Sequence, residues 1–151
     1  MQTQSLNPNI QKAKDLAEEK VQEFLKCKND FDYFCNNYIY IELPGGDMLL
    51  HPYKKQKELC ELIQKQKNVL VLKSRQIGIS TVLQAYCAWL TNFYDNVVIG
   101  IISKDGKEAT DFARSIRGMI EKLPSWMKPK KGASGPGFDK YTEQSFILTN
   151  G

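Results

Sequence analysis

The sequence predicts an α/β fold with a mainly parallel sheet, flanked by helices and preceded by an N-terminal helical segment. Two apolar runs, 69–73 and 96–103, predict strands covered on both faces, because their apolar residues do not alternate with polar ones. Apolar residues at helical spacing follow each run. Strands that alternate with helices in this way favour a parallel sheet.

In the first half of the chain, the pattern predicts three helices and one hairpin. A long amphipathic helix is expected over about residues 9–28, and a short second helix over 30–38. Strand-like segments flank the turn at 44–46, which indicates a β-hairpin. Pro52 then marks the start of a third helix that ends near Lys65.

In the second half, strands and helices are expected to alternate. The predicted order is strand 69–73, helix 79–93, strand 96–103, a helix with apolar residues from Ala109 to Leu123 that Pro124 ends, a loop at 134–137 and a strand at 145–149. Asn150 and Gly151 are a turn pattern with no second strand after it. The sheet is therefore predicted to be incomplete at its C-terminal end.

Length and composition bound the class of protein. The chain has 151 residues, 42% of them hydrophobic and 25% charged, which suits one ordinary domain with a core. No apolar run reaches the ~18 residues of a membrane span, and a signal-peptide pattern is absent, so a cytoplasmic protein without a membrane partner is expected. The four cysteines lack C-x-x-C spacing, which favours reduced core thiols over a zinc site.

The basic side chains are unevenly distributed along the chain. The net charge is +4, and residues 51–75 carry seven basic and two acidic side chains, while residues 104–140 carry nine and five. Such patches can attract phosphate backbones, and we expect DNA contacts at Lys128, Lys130 and Lys131. The alternative is an ordinary solvated surface.

The segment NVLVLKSRQIGIST, residues 68–81, has the order of a phosphate-binding loop. An apolar run leads into a loop that contains Gly78, and the hydroxyls of Ser80 and Thr81 open a helix. The unpaired N–H groups and the dipole at such a helix start attract anions. Ile79 stands where the pattern has a lysine, so the positive charge has to come from another position.

Two cations of the same segment can supply that charge. Lys73 and Arg75 are the only basic residues between Asn68 and Thr81. A cation is needed where negative charge develops during phosphoryl transfer. The alternative interpretation is a plain turn between a strand and a helix, with ordinary hydroxyls at the helix start.

The run VLVLKSRQIGISTVLQAYCAWL resembles the ATPase motif of the large terminase subunits of tailed bacteriophages. In that family the loop commonly reads S/A-R-Q-x-G, followed by a lysine and a hydroxyl residue. The residues that match are Ser74, Arg75, Gln76, Gly78, Ser80 and Thr81. Ile79 departs from the pattern, but some family members carry the lysine at the start of the loop, which is the position of Lys73. The similarity covers about residues 30–151.

The resemblance implies a P-loop NTPase-type sheet that binds ATP and Mg²⁺. It implies nucleotide contacts at Lys73, Ser74, Arg75, Gln76, Ile77, Gly78, Ile79, Ser80 and Thr81. Ser80 would contact the metal ion, Lys73 would replace the usual catalytic lysine, and Arg75 would act as a sensor or a γ-phosphate contact. Gln56, which follows Tyr53, would correspond to the family's adenine-recognising glutamine.

The resemblance also implies a domain division and partners. Residues 1–37 would form the helical segment and residues 38–151 a part of the ATPase domain. The strand ending in Asp-Glu and the nuclease domain of the family are not found in the sequence, so little ATP turnover is expected from this chain alone.

The intact protein would package double-stranded DNA without sequence preference, in the host cytoplasm at the procapsid portal. Its implied partners are the portal protein, the small terminase subunit and further copies of itself in a ring. Two alternatives stay open: a different P-loop motor such as a helicase, or a non-catalytic module for DNA binding or assembly.

Overall fold

The computed structural model describes residues 8–129, 138–141 and 146–148. Its helices are α1 (Pro8–Asn29), α2 (Phe31–Tyr38), α3 (Lys54–Lys65), α4 (Ile79–Phe93) and α5 (Gly106–Glu121). Its strands are β1 (Tyr40–Leu43), β2 (Gly46–Leu49), β3 (Phe138–Tyr141) and β4 (Phe146–Leu148). All five of these helices lie where the sequence predicts them.

The strands form two separate antiparallel hairpins. In the first, Tyr40 of β1 lies opposite Leu49 of β2, which confirms the hairpin predicted around the Pro-Gly-Gly turn. In the second, β3 pairs with β4, which confirms the last predicted strand. The sequence did not predict β3, and the loop predicted at 134–137 lies outside the described residues.

Aspartate side chains start two of the helices. Asp30 precedes α2 and accepts a hydrogen bond from the N–H of Tyr33, 2.9 Å away. Asp105 precedes α5 and accepts from the N–H of Glu108 at 2.8 Å. Each carboxylate satisfies an N–H group that has no partner inside its helix, which fixes where the helix begins.

The apolar face of α4 lies at the centre of the core. Val82, Ala85, Tyr86, Trp89 and Phe93 are all buried along this helix. They contact residues from α1, α2 and α5, so a single cluster joins these helices. Most of the stabilisation therefore comes from helix against helix, not from a sheet.

Aromatic rings and polar contacts attach the first two helices to α4. Phe34 of α2 meets Phe93 edge to face, with ring centroids 5.1 Å apart. The buried indole N–H of Trp89 donates to the carbonyl oxygen of Cys27 at 2.8 Å. Glu23 on α1 accepts from the hydroxyls of both Tyr33 and Tyr38 at 2.8 Å. The C-terminal part of α1 is therefore firmly held.

The N-terminal part of α1 does not share this burial. Every residue from 8 to 22 is exposed, including Leu16 and Val21 of the predicted apolar stripe. Burial begins with the half-buried Glu23 and Phe24 and becomes complete at Cys27. The helix itself is confirmed, but its apolar stripe packs on the core only near its C-terminal end.

The predicted mainly parallel sheet of P-loop NTPase type is wrong. In the described part of the chain, helices predominate and the two sheets have two antiparallel strands each. The runs 69–73 and 96–103 form no strand there. Apolar content favours burial, but a strand also needs a neighbouring strand that exchanges backbone hydrogen bonds with it. Neither run has such a neighbour among the described residues.

The expected burial of both faces of these runs is also wrong. Leu70, Leu72, Val98 and Ile102 are each at least 95% exposed. In the run 69–73 only Val69 is half-buried, and Val71 is exposed as well, whereas in the run 96–103 the odd-numbered residues of 97–101 are half-buried. The run 96–103 therefore faces the helices with one side and leaves an apolar side open, while the run 69–73 is mostly exposed.

Within the described ranges, no helix combines the length and the apolar character that crossing a membrane requires.

Candidate functional site: the loop before α4

The loop that precedes α4 ends in a left-handed glycine. Gly78 is the residue before the first turn of α4, with φ of 66° and ψ of 16°. Glycine adopts this conformation without the steric cost that a Cβ brings. The backbone therefore turns sharply into the helix at the position where the sequence pattern places its glycine.

A second residue of the loop is also left-handed. Gln76 has φ of 62°, which is uncommon for a residue with a side chain. Such a conformation costs on the order of 1–2 kcal/mol and persists only where the surroundings fix it. The segment Gln76–Gly78 is therefore tightly folded and not an open linker.

Two side chains contact this segment: that of Tyr53, the residue before α3, and that of Gln56 in the first turn of α3. The hydroxyl of Tyr53 donates to the carbonyl oxygen of Ile77 at 2.5 Å. The amide nitrogen of Gln56 donates to the carbonyl oxygens of Ile77 at 3.3 Å and of Gly78 at 3.1 Å. The amide oxygen of Gln56 accepts from the N–H of Tyr53 at 3.2 Å. The loop is thus fastened to the start of α3.

The contact between Gln56 and Gly78 leaves no room for a side chain. A Cβ at position 78 would lie 2.8 Å from Nε2 of Gln56, closer than real contacts of this kind. Gln56 is only 4% exposed, so it has little space to withdraw. Both the backbone conformation and the close approach therefore require glycine here.

The side chain of Ile79 lies in the interior. It is 6% exposed and begins the apolar face of α4, three residues before the buried Val82. A lysine ammonium at this position would be drawn out of water without a partner, which is costly. Only the backbone N–H of Ile79 can face a ligand at the loop.

The first turn of α4 has open hydrogen-bond donors. No side chain among the described residues caps the helix at Gly78. The first helical bond runs from the N–H of Val82 to the oxygen of Gly78 at 3.1 Å. The N–H groups of Ile79, Ser80 and Thr81 therefore have no partner within the helix, and the dipole adds positive charge at the same end.

The hydroxyls and cations of the predicted site lie around this helix start. Ser80 is exposed and Thr81 is half-buried. Lys73, Ser74 and Arg75 are exposed in the preceding loop, and neither cation has an ion-pair partner among the residues described. The structure thus brings the hydroxyls and the amides together at one helix end, with the two cations in the adjoining segment.

A groove of about 730 Å³ continues from Ser80 between α4 and α5. Its walls include Gln84, Cys87, Ser103 and Glu108. Burial raises the pKa of the Cys87 thiol to about 11, so this thiol is protonated at neutral pH and a poor nucleophile. Glu108 is held by the hydroxyl of Ser103 at 2.6 Å, and this bond lowers its pKa.

A metal ion at this site would need ligands beyond the protein. In the described part of the chain, no group of three or more His, Cys, Asp or Glu side chains could hold a metal. Ser80 offers one hydroxyl oxygen, and Mg²⁺ requires about six oxygen ligands. The residues present therefore suit a magnesium ion that arrives with phosphate oxygens and water, not one bound by the protein alone.

The basic segment predicted to contact DNA is only partly described. Lys128 is half-buried, and its ammonium donates to the carbonyl oxygen of Glu121 at 2.7 Å. Lys130 and Lys131 lie outside the described residues. The cationic side chain of Lys128 is thus directed to the end of α5 and has a structural partner.

The sequence did not indicate that Tyr53 would touch the loop. Tyr53 and Ile77 are 24 positions apart, and their contact joins a hydroxyl to a backbone oxygen. No periodicity or spacing rule reports such a contact. Gln56 was identified only through the resemblance, as a residue that recognises adenine, and that role stays a prediction.

A scan against models of known protein families finds no match to this chain.

Proposed function

We propose that this chain binds the phosphates of ATP at the loop and helix start formed by residues 73–81. The observation that carries the proposal is the left-handed Gly78 before an uncapped α4, held in place by Tyr53 and Gln56. Backbone N–H groups at such a turn, together with a helix dipole, form an anion site. This proposal does not depend on a parallel sheet.

Lys73 is the cation that we assign to the phosphate chain. Position 79, where the pattern has its lysine, cannot supply the cation, because the side chain there is buried in the core. Lys73 and Arg75 are both exposed beside the loop. Arg75 has a counterpart in members of the resembled family that keep the usual lysine, so we assign it a separate duty as a sensor or γ-phosphate contact.

Magnesium would reach the site together with the nucleotide. The hydroxyl of Ser80 would hold it, and the ion would neutralise part of the phosphate charge. Gln56 contributes indirectly in this proposal, because its amide holds the loop carbonyls of Ile77 and Gly78.

At the level of the whole protein, we propose the ATP-binding portion of a DNA-packaging motor similar to large terminases. Such a motor grips phosphates and not bases, because it has to accept any sequence. The portal protein, a small terminase subunit and further copies of the same chain are the partners that this proposal brings with it, in the host cytoplasm at the procapsid portal.

Nucleotide titration tests the proposal. We expect the chain to bind ATP in the presence of Mg²⁺, and Lys73→Ala to weaken binding by about tenfold, which corresponds to ~1.4 kcal/mol for one charge-assisted contact. Lys67→Ala is the matched control, because Lys67 is another exposed lysine just before the apolar run. Equal binding by both variants would reject the role of Lys73. Absence of ATP binding by the wild type would favour a non-catalytic binding or assembly module.

A further inference from the structure

Two consecutive carbonyl groups of the loop are fixed from the side of α3. The oxygen of Ile77 accepts from the Tyr53 hydroxyl and from the Gln56 amide. The oxygen of Gly78 accepts from the same Gln56 amide and from the N–H of Val82. Because each carbonyl has two donors, neither peptide group can rotate without losing hydrogen bonds.

Fixing these carbonyls also fixes the amides that follow them. The carbonyl and the N–H of a trans peptide point in opposite directions, and the described residues contain only trans peptides. With the oxygens of Ile77 and Gly78 directed toward α3 and into the helix, the N–H groups of Gly78 and Ile79 are directed away from it. These two N–H groups are the donors nearest to the uncapped end of α4.

Gln56 is itself held rigidly in this arrangement. Its side chain is almost fully buried, and its oxygen is bonded to the N–H of Tyr53. The nitrogen uses its two hydrogens on the loop carbonyls, so its donor capacity is filled. The geometry thus makes Gln56 a brace of the loop backbone, and Tyr53 a second brace on the same oxygen.

We infer that Tyr53 and Gln56 are positioning residues, which aim the Gly78 and Ile79 amides at a bound phosphate chain. This inference rests on the proposed function and deepens it. The braces act on backbone that faces phosphate and not on a base. Their loss should therefore weaken every ligand with a triphosphate chain by the same factor, whichever base it carries.

The test compares three ligands: ATP, GTP and inorganic tripolyphosphate. The variant is Tyr53→Phe, which removes one hydroxyl and keeps the ring. The matched control is Tyr40→Phe, because Tyr40 is another exposed tyrosine and lies at the start of β1. We expect Tyr53→Phe to bind all three ligands about five- to tenfold more weakly, and Tyr40→Phe to match the wild type.

Two results would overturn the positioning role. One is unchanged affinity in Tyr53→Phe. The other is a loss confined to ATP, which would assign the contact to base recognition. If the wild type binds none of the three ligands, the proposed function fails instead. The effect of Tyr53 on the orientation of the Gly78 and Ile79 amides is then tested on the free protein.

That test uses amide NMR on the free protein. The Gly78 and Ile79 amide signals should shift in Tyr53→Phe and stay in place in Tyr40→Phe. Unmoved signals in Tyr53→Phe would show that the hydroxyl does not set the loop conformation. Circular dichroism confirms that each variant is folded.

Discussion

Gly78→Ala is the substitution to which the loop should respond most strongly. An alanine at φ of 66° costs about 1–2 kcal/mol relative to an ordinary conformation. Its Cβ would meet Nε2 of Gln56 at 2.8 Å and displace an amide that makes two hydrogen bonds, each worth about 1 kcal/mol. Alanine also lowers the conformational entropy of the unfolded chain, which offsets about 0.4–1 kcal/mol of this loss in stability. The free energy of unfolding should therefore fall by about 3 kcal/mol.

Urea denaturation at 25 °C, followed by circular dichroism, measures this change. The matched control is Gly100→Ala, because Gly100 is exposed and a Cβ there meets nothing within 4 Å. The control should change the unfolding free energy by less than about 0.5 kcal/mol. A loss that small in Gly78→Ala as well would refute the close approach.

A double-mutant cycle separates the contact from the backbone strain. Gln56→Ala removes the amide that the new Cβ would strike, so adding Gly78→Ala afterwards costs only the strain. The double variant should then be more stable than the sum of the single losses predicts, by about 2 kcal/mol, the two hydrogen bonds that would otherwise be counted twice. Strictly additive losses would mean that Gln56 and position 78 do not contact each other.

Four further predictions concern the loop, α5 and the buried thiols. Gly118 lies inside α5 with open space around its Cα, so Gly118→Ala should raise the unfolding free energy by about 0.5–1 kcal/mol; an unchanged urea midpoint would contradict this. Ile79→Lys should lower the unfolding free energy by about 2–3 kcal/mol, since it buries an ammonium; a stable variant would show that position 79 opens to solvent. Burial raises the pKa of the Cys27 and Cys60 thiols to about 12, while unfolded thiols ionise near 9.0. Stability should be complete below pH 9 and fall above it, by up to about 1.4 kcal/mol per pH unit and thiol, because the unfolded state then holds fewer protons; urea midpoints independent of pH above 9 would reject the burial. Lys73→Ala in a chain competent for ATP hydrolysis should lower the steady-state rate by about two to three orders of magnitude, if this cation stabilises the transition state; near-normal hydrolysis would move the role to Arg75.

The helices were predictable because their information is local. The predicted ranges 9–28 and 79–93 differ from α1 and α4 by at most one residue at each end. Periodicity, an aspartate cap and a proline or glycine at the boundary are all read within one helix length. The same holds for the first hairpin, whose turn residues lie between its two strands.

The sheet was not predictable in this way, because strand formation depends on distant residues. The runs 69–73 and 96–103 have the composition of buried strands, but only a neighbouring strand makes an apolar run part of a sheet. In the described part of the chain, no strand pairs with either run, and Leu70, Leu72, Val98 and Ile102 stay exposed. Periodicity reports which side is apolar, and it does not report what covers that side.

For the loop, the sequence predicted the turn and helix start but not the contacts that support them. Gly78 and the hydroxyls after it follow a spacing pattern, and the structure places them at one helix start. The braces come from Tyr53 and Gln56, more than 20 residues earlier, and they act on backbone oxygens that every residue possesses. Because the acceptor is a backbone oxygen, such contacts require no particular residue type in the loop. The sequence therefore carries no sign of them, and only the coordinates reveal them.

The burial of Ile79 and the exposure of Lys73 follow from one constraint. Ile79 is the first member of an apolar series that continues with Val82, Tyr86, Trp89 and Phe93 at spacings of three and four, so the rotation of α4 directs position 79 inward. A cation for the loop cannot then stand on the first residue of the helix. It has to come from the segment before the left-handed turn, where side chains are exposed. If the loop binds phosphate, the packing of α4 is the reason why its lysine precedes the glycine and does not follow it.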